Sequence, residues 1–460
     1  MTGLDTGRGW AKAFPSKPGQ KIWRWFCRGV LLTHYRRSEV DGLENLPPEG
    51  GVLLCANHPS ALVDGVVIQA LCPRLIHPLA RSGLFNHPLL RPLLALMQAI
   101  PVYRRQDADG DTRRNVDVFE RCYEILGRGG VLLIFPEGQS HSDPGLRALK
   151  TGAARLALGA LERNGRAPVV LPVGLNFTDV GRFRNSLLIK FGKPVEVVAL
   201  EGEAPEEAAL RTTEAIRVAL SGVTLNLESW EDFEFLRQVE RFFSLRRGKY
   251  RKRALSTRFR ALQKLQRAGA RLREQAPHLM ERLAQRLRQF ENLCRRFGVR
   301  DYHLTVSYTP ILVTRFIARG LAIIFLALPL AVYGWLNAAL PYYLTGLLAL
   351  RSATDRYQYD TAKICYGMLF FGLFWGGQTA AVAWFVGAIP AVAYAFSLIP
   401  AATTAFYLRR ERERILDNIR VFFLFLRRRD LRQLLEFERA ELERDLAGLT
   451  KLAARSAVSS

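Results

Sequence analysis

The sequence predicts an α/β domain with a mostly parallel sheet flanked by helices, followed by a basic helical region and a C-terminal transmembrane helical region. Three observations carry this. Between residues 39 and 200, short apolar runs alternate with stretches of helical periodicity. Residues 246–300 hold 18 Lys or Arg against three Glu, a net +15 of the chain's formal charge of +24. Residues 320–350 and 364–408 carry no charged side chain at all.

The 460 residues divide by composition into five parts. Residues 1–38 form an N-terminal segment without the apolar core of a signal peptide. Within it, residues 20–36 mix Trp23, Trp25, Phe26, Leu31 and Leu32 with Lys21, Arg24, Arg28 and Arg36. That is too charged to span a bilayer. It suits an interfacial amphipathic helix, or a helix packed on the neighbouring domain. Residues 39–200 form the α/β domain. Apolar runs at 51–56, 75–79, 99–103, 131–135, 169–175 and 187–191 read as strands, and 60–72, 84–97, 113–127 and 147–163 as helices. Gly50–Gly51, Gly129–Gly130 and Gly165 punctuate the returns.

In the region 201–310, residues 201–245 start acidic and read as helical, and 246–300 read as one or two long basic amphipathic helices, broken near Pro277. Residues 311–408 hold two to four membrane segments, a span needing about 20 apolar residues. The stretches 364–386 and 388–408 read as two helices joined near Gly387–Pro390. The stretch 320–350, interrupted by Pro329 and Pro341, reads as one tilted helix or as a re-entrant hairpin broken at Pro341. Residues 409–460 form a tail, first basic and then acidic. The positive-inside rule puts the basic flanks Lys249–Arg300 and Arg409–Arg432 in the cytoplasm and the nearly neutral loop 351–362 on the opposite side. Six scattered cysteines without a CxxC pair point to a reduced compartment and no structural disulfide.

Candidate chemistry gathers at strand ends. The run Val52–Cys55 gives out at Asn57 and His58, and Pro59 favours a helix start just beyond. Asp64 follows. A histidine beside a carboxylate is the minimal general-base pair. Six positions apart on a regular helix, two side chains point about 240° apart, so His58 must precede the helix that carries Asp64. Ile100–Arg105, IPVYRR, ends a strand in Arg104 and Arg105, fork-shaped donors for phosphate oxygens. Phe135–Lys150, FPEGQSHSDPGLRALK, runs a strand into Glu137 and Gly138, with Arg147 and Lys150 expected to begin the next helix. Val169–Phe177, VVLPVGLNF, is a strand ending in a turn.

NHPSALVD, IPVYRR, FPEGQSH and LPVGLNF together resemble the four ordered blocks of the glycerolipid acyltransferase superfamily, the PlsC-like enzymes, over roughly residues 40–200. These transfer a fatty acyl group from a thioester to a hydroxyl on a glycerol phosphate. Two departures stand out. Five residues, Pro59 to Val63, separate His58 from Asp64 where most members have four, and Gln139, Ser140 and His141 follow Gly138 where most carry an arginine. Both departures resemble the membrane-bound branch that acylates glycerol 3-phosphate or dihydroxyacetone phosphate.

The resemblance implies roles. His58 is the base and Asp64 its orienting carboxylate. Arg104, rather than Arg105, holds the acceptor phosphate and glycerol hydroxyls with Glu137 and Gly138. Ser140, His141 and Lys150 replace the missing arginine, and Pro172 borders the acyl donor. The donor is acyl-CoA or acyl-carrier protein, with no metal or redox cofactor. The expected acceptor is glycerol 3-phosphate or dihydroxyacetone phosphate, with 1-acyl-sn-glycerol 3-phosphate as the rival. A non-catalytic lipid-binding membrane protein is the alternative of another class. The basic stripe suits anionic lipid, at about 1 kcal/mol per basic residue near the surface, or the phosphates of coenzyme A or an acidic carrier. Its poverty in interleaved aromatics argues against nucleic acid.

Overall fold

The computed structural model describes residues 18–86, 90–104, 115–178, 184–246, 253–304 and 310–456. The chain forms two units. The first takes residues 1–233, 254–259 and 353–361, the second residues 234–253, 260–352 and 362–460.

The first unit opens with α1 (Pro18–His34) and β1 (Tyr35–Asp41). There follow β2 (Val52–Ala56), α2 (Leu62–Leu71), β3 (Ile76–Arg81), α3 (Leu90–Leu96), β4 (Ile100–Val102), α4 (Asn115–Gly127), β5 (Val131–Ile134) and α5 (Gly152–Asn164). The series ends with β6 (Val169–Phe177), β7 (Asn185–Phe191) and α6 (Pro205–Val223). The strands form one sheet in the order β1-β7-β6-β2-β5-β3-β4. Every neighbouring pair is parallel except β6–β7. Central β2, VLLCA, is buried along its whole length, which is why it reads as a continuous apolar run rather than an alternating one. Leu53, Leu132 and Val170 meet Cys122 and Leu126 of α4, Leu156 and Ala160 of α5, and Ile216 and Leu220 of α6.

Helix α1 buries Trp23, Cys27 and Leu31, while Ile22, Trp25 and Leu32 stay exposed on its other side. Its arginines cap α2: Arg28 donates to the carbonyl of Ala70 (3.1 Å), and Arg24 to those of Cys72 (2.8 Å) and Pro73 (3.0 Å). These are carbonyls that a helix end leaves unpaired. Packing on the domain therefore accounts for one face of the helix read at 20–36. Strand β1, YRRSEVD, has too little apolar content to be legible in the sequence; it lies at the sheet edge beside β7. Helix α5 starts at Gly152, later than expected, and Arg147 and Lys150 lie in the loop before it. Lys150 N–H bonds the carbonyl of Pro136 (2.8 Å), which holds this stretch out of the helix.

The second unit is helical. It draws on α7 (Trp230–Arg246), α8 (Leu255–Gln275), α9 (Pro277–Arg296), α10 (Asp301–Leu304), α11 (Pro310–Ser352), α12 (Arg356–Val386), α13 (Ala388–Arg427) and α14 (Arg429–Ser456). The break expected near Pro277 falls at Ala276. Leu283, Leu287 and Phe290 of α9 pack with Val421 and Phe425 of α13 and Leu435 and Leu442 of α14. The tail pairs with the basic stripe where Arg286 meets Asp445 and Glu441, and Arg439 of the tail bonds Asp301 (2.7 Å). Part of the positive charge of 246–300 is thus neutralised within the unit.

Among the described residues, two helices, Gln358–Val386 and Ala388–Arg427, are long and apolar enough to cross a membrane, and they meet at Gly387. Helix α11 is continuous through Pro341 but strongly bent. A Cβ placed at Gly320 would lie 3.6 Å from Ile415 of α13, whereas the Tyr342 ring lies 5.0 Å from that of Phe406. A straight helix would separate residues 320 and 342 by about 33 Å, while 406 and 415 are about 14 Å apart on theirs. Side chains cannot span that mismatch, so α11 doubles back. Gly334 lies so close to Ala401 that a Cβ would sit 2.1 Å from its carbonyl oxygen, in step with Gly320 at Ile415, so this arm is straight and the turn lies between Asn337, which meets Tyr394, and Tyr342, at Pro341.

Residues 353–361 group with the α/β domain in the first unit. Asp360 is fully buried and its Oδ1 lies 3.3 Å from His34 Nε2, and Thr361 Oγ1 reaches the Ser60 carbonyl at 3.5 Å. Counting charge over a short loop missed this because a carboxylate that looks solvated is buried against a histidine.

Residues 254–259 are also part of the first unit. Glu39 of β1 accepts the N–H groups of Leu255 (2.7 Å) and Ser256 (3.0 Å) and the Ser256 hydroxyl (2.5 Å), capping the start of α8. Burial pushes the Glu39 carboxyl up, but the Ser256 and Leu255 bonds and the Arg37 charge outweigh it and hold it below its ordinary value of 4.5. A lowered carboxyl stabilises fully above its unfolded value, and that contribution is lost as pH falls through the folded one. The urea midpoint of the wild type is expected to exceed that of Glu39→Gln at neutral pH and to converge on it in this acid window. Midpoints that stay equally far apart at every pH would rule out the charged cap.

Candidate active site

The site is built where β2 ends. Asn57 and His58 leave the strand, Pro59–Ala61 turn, and α2 begins at Leu62. His58 therefore sits ahead of the helix that carries Asp64. Ala61 takes φ +49° and ψ −129°, an unfavourable conformation for a residue with a Cβ. The fifth residue between His58 and Asp64 is absorbed in this turn, and the two side chains meet: His58 Nδ1 lies 2.9 Å from Asp64 Oδ2. Ser60 N–H donates to the same oxygen (2.7 Å).

Asp64 is 0% exposed, and burial raises its carboxyl above the ordinary value against the opposing hydrogen bonds from His58 and Ser60. With Nδ1–H donated to Asp64, the His58 lone pair is on Nε2. The imidazole also stacks on Phe135, with ring centres 3.8 Å apart and 12° between planes. Carboxylate and aromatic together fix the ring's position and tautomer.

Glu137 departs from its expected role. It is buried, and its oxygens are already engaged: Oε1 accepts His58 N–H (3.0 Å), and Oε2 accepts Arg147 N–H (3.0 Å) and the His141 ring. His141 Nδ1 accepts Asp143 N–H (3.2 Å), so Nε2 carries the proton that Glu137 receives. His141 N–H in turn bonds the carbonyl of His58 (3.2 Å). Glu137 and His141 are thus an internal brace rather than an open acceptor site, because a substrate hydroxyl could reach them only by breaking this lattice.

The cations gather instead at Gly138. Its φ of +74° is a left-handed turn conformation. Arg104 Nη1 donates to the Gly138 carbonyl (2.5 Å), and the end of the Lys150 side chain lies over its Cα, where a Cβ would come within 3.0 Å of Nζ. Ser140 is half-buried two residues on. Arg147 points to Asp143 (Nε–Oδ2 2.6 Å). Arg105 lies outside the described residues.

Pro172 is buried mid-strand, paired with Cys55 across the sheet. From β6 it is Leu175 that reaches the site, exchanging bonds with the Asn57 side chain (2.7 and 3.2 Å). Neither this weld nor the Phe135 stack was anticipated. Both residues lie inside the quoted blocks, but only the folded sheet brings them against their partners.

The family model described as Acyltransferase matches residues 37–176, the stretch that holds this site. The chain carries a PlsC-like glycerolipid acyltransferase domain. Relatives include the glycerol-3-phosphate O-acyltransferase 2 of Saccharomyces cerevisiae, 30% identical over 28% of this chain and 18% of that protein. A chloroplastic 1-acyl-sn-glycerol-3-phosphate acyltransferase of Arabidopsis thaliana is 26% identical over 30% of this chain and 36% of that one. A 1-acyl-sn-glycerol-3-phosphate acyltransferase of Borreliella burgdorferi is 29% identical over 26% and 45%. The aligned part therefore spans less than half of each of these relatives.

Glu137→Ala leaves the backbone N–H groups of His58 and Arg147 without their acceptor. It is expected to destabilise the protein by on the order of 3–5 kcal/mol, the cost of leaving several buried donors unpaired at about 1–3 kcal/mol each. Urea unfolding checks this, and a loss below about 1 kcal/mol, within the range of an ordinary single hydrogen bond, would mean the carboxylate is not the brace.

Proposed function

We propose that this protein is a membrane-bound O-acyltransferase that moves a fatty acyl group from an acyl thioester to a hydroxyl of glycerol 3-phosphate or dihydroxyacetone phosphate, in phospholipid synthesis. One observation carries the reading: the buried Asp64–His58 pair opens beside Gly138, where Arg104 and Lys150 converge. A base and a phosphate-sized pair of cations side by side suit a phosphorylated alcohol.

His58 Nε2 removes the proton from the acceptor hydroxyl as its oxygen attacks the thioester carbonyl carbon. Asp64 stabilises the imidazolium that forms. The tetrahedral adduct then expels the thiolate, which takes the proton back from Nε2, giving the ester and a free thiol. Arg104 and Lys150 hold the phosphate, with Gly138 letting it approach the backbone, and Ser140 offers a hydroxyl nearby. Glu137 and His141 act at one remove, by fixing the backbone of His58. The thioester supplies the driving force, so we propose no metal or redox cofactor. The donor is acyl-CoA or acyl-carrier protein.

The His58–Asp64 spacing and the FPEG-x-SH block favour the glycerol 3-phosphate acceptor. The plant and Borreliella relatives keep 1-acyl-sn-glycerol 3-phosphate as the second reading. A lipid substrate and product suit a catalytic domain held at the bilayer, and helices α12 and α13 offer the apolar length for that. The basic flanks favour the cytoplasmic side.

Radiolabelled acyl transfer in membranes tests this, with glycerol 3-phosphate, dihydroxyacetone phosphate and lysophosphatidate as acceptors. Glycerol 3-phosphate or dihydroxyacetone phosphate is expected to be acylated, and His58→Ala to lose on the order of 10²–10⁴ in rate, the usual worth of a general base. Activity with lysophosphatidate alone would shift the acceptor to the second reading. An unchanged rate in His58→Ala would remove the mechanism and favour a lipid-binding role.

A further inference from the structure

We infer that the chain enters the bilayer from one side only, as two apolar hairpins whose four ends all return to the side that holds the acyltransferase unit, with no soluble segment exposed on the other. The partner of these surfaces is the hydrocarbon of a lipid bilayer. The inference rests on the membrane reading of α12 and α13, and not on the acyl-transfer reading.

The bent α11 is the first hairpin. A straight helix of this length would carry residues 310 and 352 to opposite faces of a membrane about 30 Å thick in its core. Here Gly320, on the arm before the bend, and Tyr342, on the arm after it, both lie against α13 beyond Ala401 in sequence, at Ile415 and Phe406. Both arms of α11 therefore run back toward the charged end of α13. That end is polar and pinned: Arg300 pairs with Asp417 (3.1 Å), and His303 and Tyr302 reach Asn418 (3.0 and 3.3 Å).

Helices α12 and α13 are the second hairpin. From Lys363 to Val386 the helix runs about 35 Å, enough to cross the core. Only Gly387, at φ +111°, separates it from α13. The residues around this tip are apolar and turned outward: Trp384 is 85% exposed, Phe385 82% and Ile389 86%. A tip with no charged residue between Lys363 and Arg409 gives water nothing to hold on the far side. Such a tip ends in the far interfacial region, where tryptophan is favoured.

The segment joining the hairpins fixes the side. Residues 353–361 are built into the first unit, through the buried Asp360–His34 pair and the Thr361–Ser60 bond. A carboxylate is buried this way only with a partner, so the contact cannot be traded for a place across the membrane without leaving both groups uncompensated. The end of α11 and the start of α12 therefore emerge where the acyltransferase unit is. The bend of α11 and the burial of Asp360 point to the same side independently.

Single-cysteine labelling with a membrane-impermeant, polymer-linked maleimide tests this on the full chain in sealed vesicles, with the unsubstituted protein as the control for its six native cysteines. Arg128→Cys, at an exposed site just past the end of α4, reports the side of the acyltransferase unit. Thr354→Cys, at an exposed site of the joining segment, is expected to label from the same side. Ala388→Cys is expected to label from neither side until detergent is added. Thr354→Cys labelling opposite to Arg128→Cys would overturn the inference, as would labelling of Ala388→Cys from the far side. A chain that carbonate strips from the vesicles would overturn it together with the membrane reading, whereas acyl transfer measured in detergent bears only on the latter's catalytic companion.

Discussion

A carboxylate taken out of water must be met by enough hydrogen bonds to replace its hydration. Glu137 meets that condition by collecting groups from both sides of the site: the backbone of His58 at the end of β2, the backbone of Arg147 in the loop before α5, and the ring of His141 between them. The requirement works in reverse as well. Because those donors have no equivalent alternative, the loop 135–151 can close over the end of β2 in only one arrangement. The base, the glycine turn and the two cations take their places from it. The Asp64–His58 pair is a second buried carboxylate laid against the first, and the Phe135 ring separates the imidazole from slack.

The same logic explains where the positive charge of this chain goes. Arginine forks satisfy backbone carbonyls that would otherwise be orphaned, Arg24 and Arg28 at the end of α2 and Arg74 at the turns of Pro47, Gly50 and Gly129. Arg286 pairs with Glu441 and Asp445 of α14. A formal charge of +24 therefore overstates the charge offered to a membrane or a donor.

Much of the fold was legible because buried parallel strands are apolar throughout and end at turn residues. That pattern located six of the seven strands; β1 escaped it, since an edge strand with Arg36, Arg37, Ser38 and Glu39 carries no such signature. The order of His58, Arg104, Gly138 and Lys150 along the chain was equally readable, and the extra residue before Asp64 forecast a turn ahead of α2. What the sequence could not convey were relations between distant segments. Glu137 looked like a ligand group because nothing local shows that its donors come from elsewhere. The bend of α11 and the burial of Asp360 depend on partners far along the chain.

The burial of Asp360 has a consequence for the order in which this molecule can be made. His34 and Tyr35 are among the first described residues of the chain, yet the carboxylate beside them arrives more than 300 positions later. During synthesis the acyltransferase unit must wait, incomplete along that edge, while the whole of α11 is produced. If α11 is drawn into lipid as it emerges, the domain is finished only by a chain already anchored in a bilayer. Folding and membrane placement would then be a single event, and a polypeptide that missed the membrane would leave His34 without its buried carboxylate.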